Sequence, residues 1–286
     1  MIKLVLTDLD DTLIPYGAPH ASERAIAAIH AMHDAGVVFG PMSGRKPSAM
    51  DWMFCQDELC YKTGAFANGQ LIRLEGEVVH TQKLHREDLQ QVADVVDGLQ
   101  TDAWLSVYDI FASDGDHDIT FVTRRQDAWR QHEGEHPSPS HDVVDHVERD
   151  SYLKANVQCL VERPQMVRIR DILRKEVPQL GFVFPSLIAP FIDISPAGWN
   201  KGSAVRFLAD RMGIGIDEVV VFGDSENDLP MIEAVPNSVA MANADEAVSS
   251  AARWHIGYAN DDAVAAAFED IAQASSRGEM PSFMHD

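Results

Sequence analysis

The chain has 286 residues, of which 45% are hydrophobic and 24% are charged, as in an ordinary globular protein. Its formal net charge of −22 disfavours nucleic acid and anionic lipid as partners, because like charges repel. No apolar run approaches the roughly 20 residues that span a bilayer, and the N-terminal segment lacks the pattern of a signal peptide. We therefore expect a cytoplasmic protein, a monomer or small homo-oligomer, with no membrane partner.

Strands and helices alternate in the first segment of the chain. Ser22 can cap a helix whose apolar residues recur at helical spacing, and Gly36 ends it. The predicted elements are strand Ile2–Thr7, helix Ser22–Ala35, strand Val37–Met42, helix Pro47–Phe54, and two short strands, Gln70–Leu74 and Val78–His80. This alternation is typical of a parallel sheet covered by helices.

The middle segment has a mixed pattern. Its predicted elements are helix Glu87–Leu99, strands Ala103–Phe111, Ile119–Thr123 and Ala155–Val161, and helix Gln165–Glu176. The stretch Gln126–Asp150 is polar and interrupted by Pro137 and Pro139, so it predicts a loop with room for one short helix. Its histidines share no helical face, and we interpret them as polar loop residues rather than metal ligands: His132, His136, His141 and His146.

The alternating pattern returns near the C-terminus. Its predicted elements are strand Phe191–Ile194, helix Lys201–Met212, strand Val219–Phe222, helix Asp228–Glu233, strand Ser238–Met241 and helix Asp262–Ala274. The chain therefore predicts an α/β fold, with a Rossmann-like, doubly wound parallel sheet built from residues 1–82 and 191–286. Residues 83–190 would form an inserted α+β cap.

Polar side chains follow the ends of several predicted core strands. The residues concerned are Asp8, Asp10 and Thr12 after the first strand, Ser43, Gly44 and Arg45 after the second, Lys201 after Phe191–Ile194, and Asp224, Asn227 and Asp228 after Val219–Phe222. Ligands of open parallel sheets bind beyond the carboxyl ends of the strands. We therefore expect these side chains to meet at one edge of the sheet.

Carboxylates, one ammonium group and a hydroxyl are suited to a divalent cation and a phosphate. Mg²⁺ prefers oxygen ligands, which Asp8, Asp10 and Asp224 can supply. Lys201 would offset the charge of a phosphate, and Ser43 could donate a hydrogen bond to it. Paired carboxylates beside a phosphoryl group indicate covalent catalysis, in which one aspartate attacks phosphorus and the other transfers protons.

The motifs resemble those of the haloacid dehalogenase superfamily. The stretch DLDDTL at Asp8–Leu13 is similar to the D-x-D-x-T signature, SGR to the second motif, Lys201 to the third, and GDSEND to the fourth, G-D-x-x-N-D. The insertion between the second and third motifs, and ANGQLI at Ala67–Ile72, resemble the Cof-type group with a C2B-like cap. The resemblance covers nearly the whole chain and implies a phosphatase rather than a dehalogenase.

The resemblance also implies a role for each matching residue. Asp8 would be the nucleophile and Asp10 the general acid and base. Mg²⁺ would be held by Asp8, by the backbone carbonyl of Asp10 and by Asp224. The residues assigned to the phosphate site are Ser43, Gly44, Thr12 and Lys201, with Thr12 also holding its loop.

The remaining assignments are less direct. Asn227 and Asp228 would either complete the outer shell of the metal or hold Lys201. Arg45 and Asn68 are candidates for substrate contact. We assign no catalytic role to Asp11, and the odd number of cysteines indicates structural thiols rather than a disulfide framework: Cys55, Cys60 and Cys159.

The resulting prediction is a Mg²⁺-dependent phosphoric monoester hydrolase acting on a small phosphorylated metabolite. By resemblance, sugar phosphates come first as substrates, followed by nucleotide or cofactor phosphates such as those of flavin or pyridoxal. Two alternatives stay open: a phosphotransferase or phosphomutase, in which a sugar hydroxyl rather than water attacks the intermediate, and a non-catalytic phospho-ligand binding protein.

Overall fold

The computed structural model describes residues 1–111, 119–135, 141–186 and 188–285. The chain divides into two compact units. The first unit comprises Met1–Arg45, Ala49–Thr81 and Asn200–Asp286, and the second comprises Lys46–Ser48 and Gln82–Trp199. The chain therefore leaves the first unit, builds the second and returns, as the insertion pattern predicts.

The first unit begins with alternating strands and helices followed by a small antiparallel sheet. Its elements up to the insertion are β1 (Leu4–Thr7), α1 (Glu23–Asp34), β2 (Val38–Pro41), α2 (Ala49–Met53), a 3₁₀ turn (Glu58–Cys60), β3 (Gly64–Phe66), β4 (Leu71–Leu74) and β5 (Glu77–Thr81). Strands β3, β4 and β5 pair in that order. The Ser22 hydroxyl accepts the Ala25 N–H at 2.9 Å, which confirms the predicted start of α1.

The second unit is built around a mixed sheet. Its described elements are β6 (Leu84–His85), α3 (Arg86–Gly98), β7 (Ala103–Tyr108), β8 (Ile119–Val122), α4 (Gln126–Glu135), β9 (Asp142–Val144), β10 (Ser151–Tyr152), β11 (Ala155–Cys159), α5 (Arg163–Glu176), β12 (Leu180–Val183) and β13 (Phe191–Pro196). Six strands lie in the order β12-β13-β11-β7-β8-β9, and β6 pairs with β10. Alternate residues of β7 and β11 pack with apolar residues of α3 and α5 to form the core of this unit.

The returning chain completes the first unit. Its elements are α6 (Lys201–Met212), β14 (Val219–Gly223), α7 (Leu229–Ala234), β15 (Asn237–Ala240), α8 (Glu246–Ala251), β16 (Trp254–His255) and α9 (Ala263–Arg277). The described strands form a parallel sheet in the order β16-β15-β14-β1-β2. Every residue of β1 and β14 is buried, as expected for central strands covered on both faces.

The structure corrects the predicted position of Phe191–Ile194. These residues belong to β13, which pairs antiparallel with β11 and β12 in the second unit rather than joining the parallel sheet. Phe191–Trp199 therefore lie in the second unit, although we expected them in the core. An apolar strand carries no local signal of which sheet it joins, because the choice depends on distant partners.

The polar stretch Gln126–Asp150 contains more regular structure than expected. It begins with the ten-residue helix α4 and includes the strand β9, which pairs parallel with β8. His136, Pro137 and Pro139 lie outside the described residues. Over the part of the chain that the structure describes, no helix is both long and apolar enough to cross a membrane.

Candidate active site

Two neighbouring strands bring the first carboxylates together. β1 and β14 run parallel with Thr7 opposite Phe222, so both strands end at the same edge of the sheet. Asp8 follows β1 directly, and its N–H donates to the Phe222 carbonyl at 3.0 Å. Asp224 follows β14 in the same way. The apolar strands therefore fix where these two carboxylates emerge.

Lys201 lies between two carboxylates and is fully buried. Its Nζ donates to Asp8 Oδ1 at 2.7 Å and to Asp228 Oδ1 at 2.6 Å. Asn200 caps α6 by accepting the Ser203 N–H at 3.1 Å, so the helix begins at Lys201 as predicted. The lysine thus connects two carboxylates that are 220 residues apart in sequence, from Asp8 to Asp228 (228 − 8).

The position of Asp228 depends on its backbone contacts and on a glycine. Its Oδ2 accepts the backbone N–H groups of Asp224 and Ser225, both at 3.0 Å. A Cβ atom on Gly223 would lie 2.6 Å from the Cβ of Asp228, so only glycine permits this approach. Both oxygens of Asp228 are thereby engaged. Of the two predicted roles for this residue, the contacts show the one in which it holds Lys201.

A second glycine permits the approach of α6. A Cβ atom on Gly202 would lie 2.3 Å from the carbonyl oxygen of Pro230 in α7. The residue after Lys201 must therefore be small for α6 and α7 to pack at this distance. The sequence carries one signal of this close contact, which is a glycine in the first turn of a predicted helix. Because glycine has a low helix propensity, its presence there indicates a packing requirement.

Two hydroxyl groups orient Asp224. Thr12 Oγ donates to its Oδ1 at 2.6 Å, and Ser225 Oγ donates to its Oδ2 at 2.8 Å. Thr12 therefore links the loop after β1 to the loop after β14. Ser225 is a site residue that the motif comparison did not single out, because it occupies a variable position of G-D-x-x-N-D. The sequence signal that could have identified Ser225 is a hydroxyl side chain directly after Asp224.

The Asp10 side chain points to a different partner. Arg45 Nε donates to Asp10 Oδ2 at 2.8 Å, and its Nη2 donates to Oδ1 at 2.6 Å. The Arg45 guanidinium also lies 5.6 Å from the ring centroid of Trp52. This bidentate pair uses both carboxylate oxygens of Asp10 as acceptors.

Ser43 and Asn68 meet at the end of β2. The Ser43 hydroxyl accepts the Arg45 N–H at 3.1 Å, and the backbone carbonyl of Ser43 accepts the Asn68 N–H at 3.0 Å. Asn68 Oδ1 in turn accepts a hydrogen bond from Asn227 Nδ2 at 3.1 Å. Asn68 therefore connects the loop after β2 with the loop after β14, while Gly44, between Ser43 and Arg45, is partly exposed.

Asp11 has a conformational role. Its φ of 61° lies in the left-handed region, which aspartate tolerates better than most residues, and its N–H donates to the Ile14 carbonyl at 2.9 Å. Asn243 Nδ2 donates to the Asp11 carbonyl at 2.8 Å. These backbone contacts shape the turn in which Asp8, Asp10 and Thr12 are held.

Burial makes the carboxylate cluster electrostatically costly. Burial raises the pKa of Asp8 well above its usual range, Lys201 opposes this effect, and neighbouring carboxylates add to it. Burial, followed by the charge of Asp228, raises the pKa of Asp224 to about 7, although the hydrogen bonds from Thr12 and Ser225 oppose the shift. Burial alone would lower the pKa of Lys201, but Asp228 and Asp8 outweigh it and raise this pKa above its usual value.

The donor set fits a divalent metal ion. Carboxylate oxygens of Asp8, Asp224 and Asp228 lie within 4.8 Å of one another, and the Lys201 ammonium contacts those of Asp8 and Asp228. Within the same part of the structure, the buried Oδ1 of Asn227 has no hydrogen-bond donor. An excess of buried carboxylates and an unsatisfied amide oxygen suit a hard cation and its bound water. This cluster could therefore hold the divalent metal that the family uses.

Comparison with known proteins identifies the family. A profile of the haloacid dehalogenase-like hydrolases matches residues 5–268. The chain belongs to this family. The resemblance found from the motifs is confirmed, and this Cof-type enzyme is a phosphatase, a phosphoric monoester hydrolase acting on small phosphorylated substrates.

Relatives of the phosphatase align over most of its length. A provisionally named phosphatase of Haemophilus influenzae is 27% identical over 273 residues, which cover 94% of this chain and 98% of the relative. The HMP-PP phosphatase of Citrobacter koseri is 24% identical and covers 85% of each chain. The solved structure of the sugar phosphatase BT4131, of subclass IIB, superposes with a TM-score of 0.73 at 18% identity, covering 93% of this chain and 98% of that one. The superposition confirms the fold of a parallel core with an inserted cap.

Proposed function

We propose that the phosphatase is Mg²⁺-dependent and acts through an aspartyl-phosphate formed on Asp8. The buried Asp8–Lys201–Asp228 contact next to Asp224 carries this proposal, because it combines a candidate nucleophile, a phosphate-binding ammonium and metal ligands in one place. A surface cluster of acids would need no such cation. Burial of this much negative charge is costly unless the site binds cations during its work.

Asp8 is the nucleophile and Asp10 the proton-transfer group in this mechanism. An Asp8 carboxylate oxygen forms a bond to phosphorus, the bond from phosphorus to the leaving oxygen breaks, and Asp10 donates a proton to that oxygen. In the second step Asp10 takes a proton from water, which attacks phosphorus and releases phosphate from Asp8. Lys201 holds the Asp8 carboxylate in place and offsets the negative charge of the phosphoryl group.

The metal site comprises Asp8, Asp224 and the backbone carbonyl of Asp10. A bound Mg²⁺ supplies positive charge that stabilises the phosphoryl oxygens during transfer. Thr12 and Ser225 keep Asp224 oriented by hydrogen bonds to its two oxygens. Asn227 belongs to the outer shell, where its unsatisfied Oδ1 can accept a hydrogen bond from water.

The phosphate site uses side chains and backbone donors at the carboxyl ends of the strands. We assign Ser43, Gly44, Thr12 and Lys201 to it. Arg45 has a second role in this proposal: it pairs with Asp10 before substrate binds and turns to the substrate anion afterwards. Release of Asp10 then leaves its carboxyl group free to carry the proton that it donates. Asn68, which holds the same loop, lies beside the substrate.

A sugar phosphate is our first proposal for the substrate class, and a cofactor phosphate is the second. The names of two relatives, a sugar phosphatase and an HMP-PP phosphatase, support these two classes respectively. We assign substrate selection to the second unit, Gln82–Trp199, since the first unit supplies the groups that handle phosphate. The protein's net charge of −22 makes local cations necessary for binding any phosphate ester.

Release of free phosphate from a panel of phosphorylated metabolites tests the proposal. The wild-type protein with Mg²⁺ should release phosphate stoichiometrically from one substrate, and EDTA should stop release until Mg²⁺ is restored. Asp8→Asn should reduce turnover by about 10³-fold or more, because the amide is a poor nucleophile. Asp11→Asn is the matched control, since asparagine also tolerates the left-handed conformation, and it should remain active.

Two outcomes would contradict the mechanism. Near-normal turnover by Asp8→Asn would rule out covalent catalysis at this residue. Activity that survives complete chelation would rule out a requirement for the metal. Transfer of the phosphoryl group to a second sugar, without release of free phosphate, would instead identify a phosphotransferase with the same first step.

A further inference from the structure

A second group of metal-ligating side chains lies apart from the residues of the proposed active site. His30, Asp57 and Cys60 bring a ring nitrogen, a carboxylate oxygen and a sulfur within 4.8 Å of one another. His30 comes from α1, Cys60 ends the 3₁₀ turn that follows α2, and Asp57 immediately precedes that turn. All three belong to the first unit, and the phosphatase mechanism uses none of them.

The local backbone builds this cluster. The Cys60 N–H donates to the Asp57 carbonyl at 3.0 Å, so these two residues lie one tight turn apart. Asp57 Oδ1 accepts the Leu59 N–H at 3.2 Å, which orients the carboxylate. Its other oxygen, Oδ2, then lies 2.6 Å from His30 Nε2. The carboxylate is therefore held by its own turn and directed toward the helix.

The three ligand types favour a borderline-soft transition metal over Mg²⁺. Zn²⁺ binds sulfur, imidazole nitrogen and carboxylate oxygen at about 2.0–2.3 Å in tetrahedral geometry, which sets neighbouring ligand atoms about 3–4 Å apart. The three ligand atoms lie within 4.8 Å of one another, which is close to this range. The His30 ring must separate slightly from Asp57, and its half-exposed position on α1 leaves room for that movement.

Burial in the cluster is graded from the core to the surface. Cys60 is fully buried, Asp57 is intermediate and His30 is exposed. A cation can therefore arrive from solvent at His30, while Cys60 offers its sulfur from the interior. Burial, with Asp57 and Cys55 adding to it, raises the pKa of Cys60 to about 12, so binding would displace the thiol proton to solvent.

We propose that His30, Asp57 and Cys60 form a three-ligand site for Zn²⁺ or a similar transition-metal ion, with water in the fourth position. Coordination would fasten the 3₁₀ turn to α1. The sequence pattern does not show such a site, because His30 stands 27 residues before Asp57 and the spacing matches no short zinc motif. Only the packing of α1 beside the turn brings the three groups together.

Titration with Co²⁺ tests the proposal on the full-length protein saturated with Mg²⁺. Thiolate coordination produces a sulfur-to-cobalt charge-transfer absorption that an all-oxygen site cannot give. The wild-type protein should develop this band with one equivalent of Co²⁺ and lose it when Zn²⁺ is added. His30→Ala should weaken Co²⁺ binding by at least about tenfold, and Cys60→Ser should abolish the band. His33→Ala, on the same helix, and Cys55→Ser, an exposed thiol, are matched controls that should retain it.

Three results would overturn the proposal. They are the absence of the band in the wild-type protein, a band unchanged in both His30→Ala and Cys60→Ser, and a band lost in Cys55→Ser but kept in Cys60→Ser. Because Cys60 is buried, the half-exposed His30 provides the variant that leaves the fold intact. Phosphate release with Mg²⁺ should be equal in wild type and His30→Ala, which separates this site from the proposed active site.

Discussion

Replacing Asp224 by asparagine should stabilise the protein in the absence of metal while abolishing its activity. The pKa of this buried carboxyl rises from the model-compound value of 3.8 to about 7, so its charged form is penalised on folding. A shift of this size corresponds to at most about 4 kcal/mol. In the variant, the amide NH₂ faces the hydroxyl of either Thr12 or Ser225, and that hydroxyl must then accept a hydrogen bond instead of donating one. This change offsets part of the gain, so we expect the free energy of unfolding to rise by about 1–3 kcal/mol.

The sign of the pH dependence follows from the direction of the shift. A carboxyl group whose folded pKa is raised destabilises the protein only when it is charged. The penalty is absent below about pH 4, grows as the pH rises and is complete above about pH 7. The advantage of Asp224→Asn over wild type should therefore be larger at about pH 8 than at about pH 5.

Chemical denaturation in EDTA at these two pH values measures the effect. Asp261→Asn removes an exposed carboxylate elsewhere in the first unit and should show no such pH-dependent gain. Adding Mg²⁺ should stabilise wild type and have much less effect on Asp224→Asn, because the metal binds the folded state through this ligand. A variant less stable than wild type in EDTA at about pH 8, or a difference that does not change with pH, would refute the electrostatic reasoning.

Three further substitutions test separate parts of the structure. Asp10→Asn should slow hydrolysis of sugar phosphates more than that of activated aryl phosphates, since only the former need protonation of the leaving group, and equal losses would contradict its role as the acid. Lys201→Met should abolish activity and, in denaturation experiments, lower the free energy of unfolding by about 3–5 kcal/mol, because it leaves buried carboxylates without their cation. Gly202→Ala should lower the same quantity by about 1–3 kcal/mol, since its Cβ would lie 2.3 Å from the Pro230 carbonyl oxygen. Gly98→Ala, where a Cβ meets nothing within 4 Å, is its control and should be neutral or slightly stabilising.

Much of the fold could be predicted because its signals are local. Continuous apolar runs such as Leu4–Thr7 and Val219–Gly223 predict buried parallel strands, and the observed strands lie there. The helix Lys201–Met212 has the predicted bounds, since Asn200 caps its start and Gly213 ends it in the left-handed conformation. These features depend on residues that are neighbours in sequence.

The carboxylate cluster was predictable for a related reason. Asp8 and Asp224 each follow a buried strand directly, and the carboxyl ends of parallel strands share one edge of a sheet. Residue type and position along the chain are therefore sufficient to place both carboxylates together. The expected proximity of Lys201 was also correct, although the strand before it belongs to another sheet.

Pairing between distant side chains and strands could not be predicted in this way. The Arg45–Asp10 ion pair, the position of β13 in the second unit and the meeting of His30 with Cys60 all depend on contacts between separate segments. A strand's pattern records which of its faces is buried but not which neighbour buries it. The amino-acid sequence thus identifies the chemical groups and the elements that carry them, whereas long-range packing selects their partners. The reason is that each pairing is stabilised by contacts to which two distant segments both contribute.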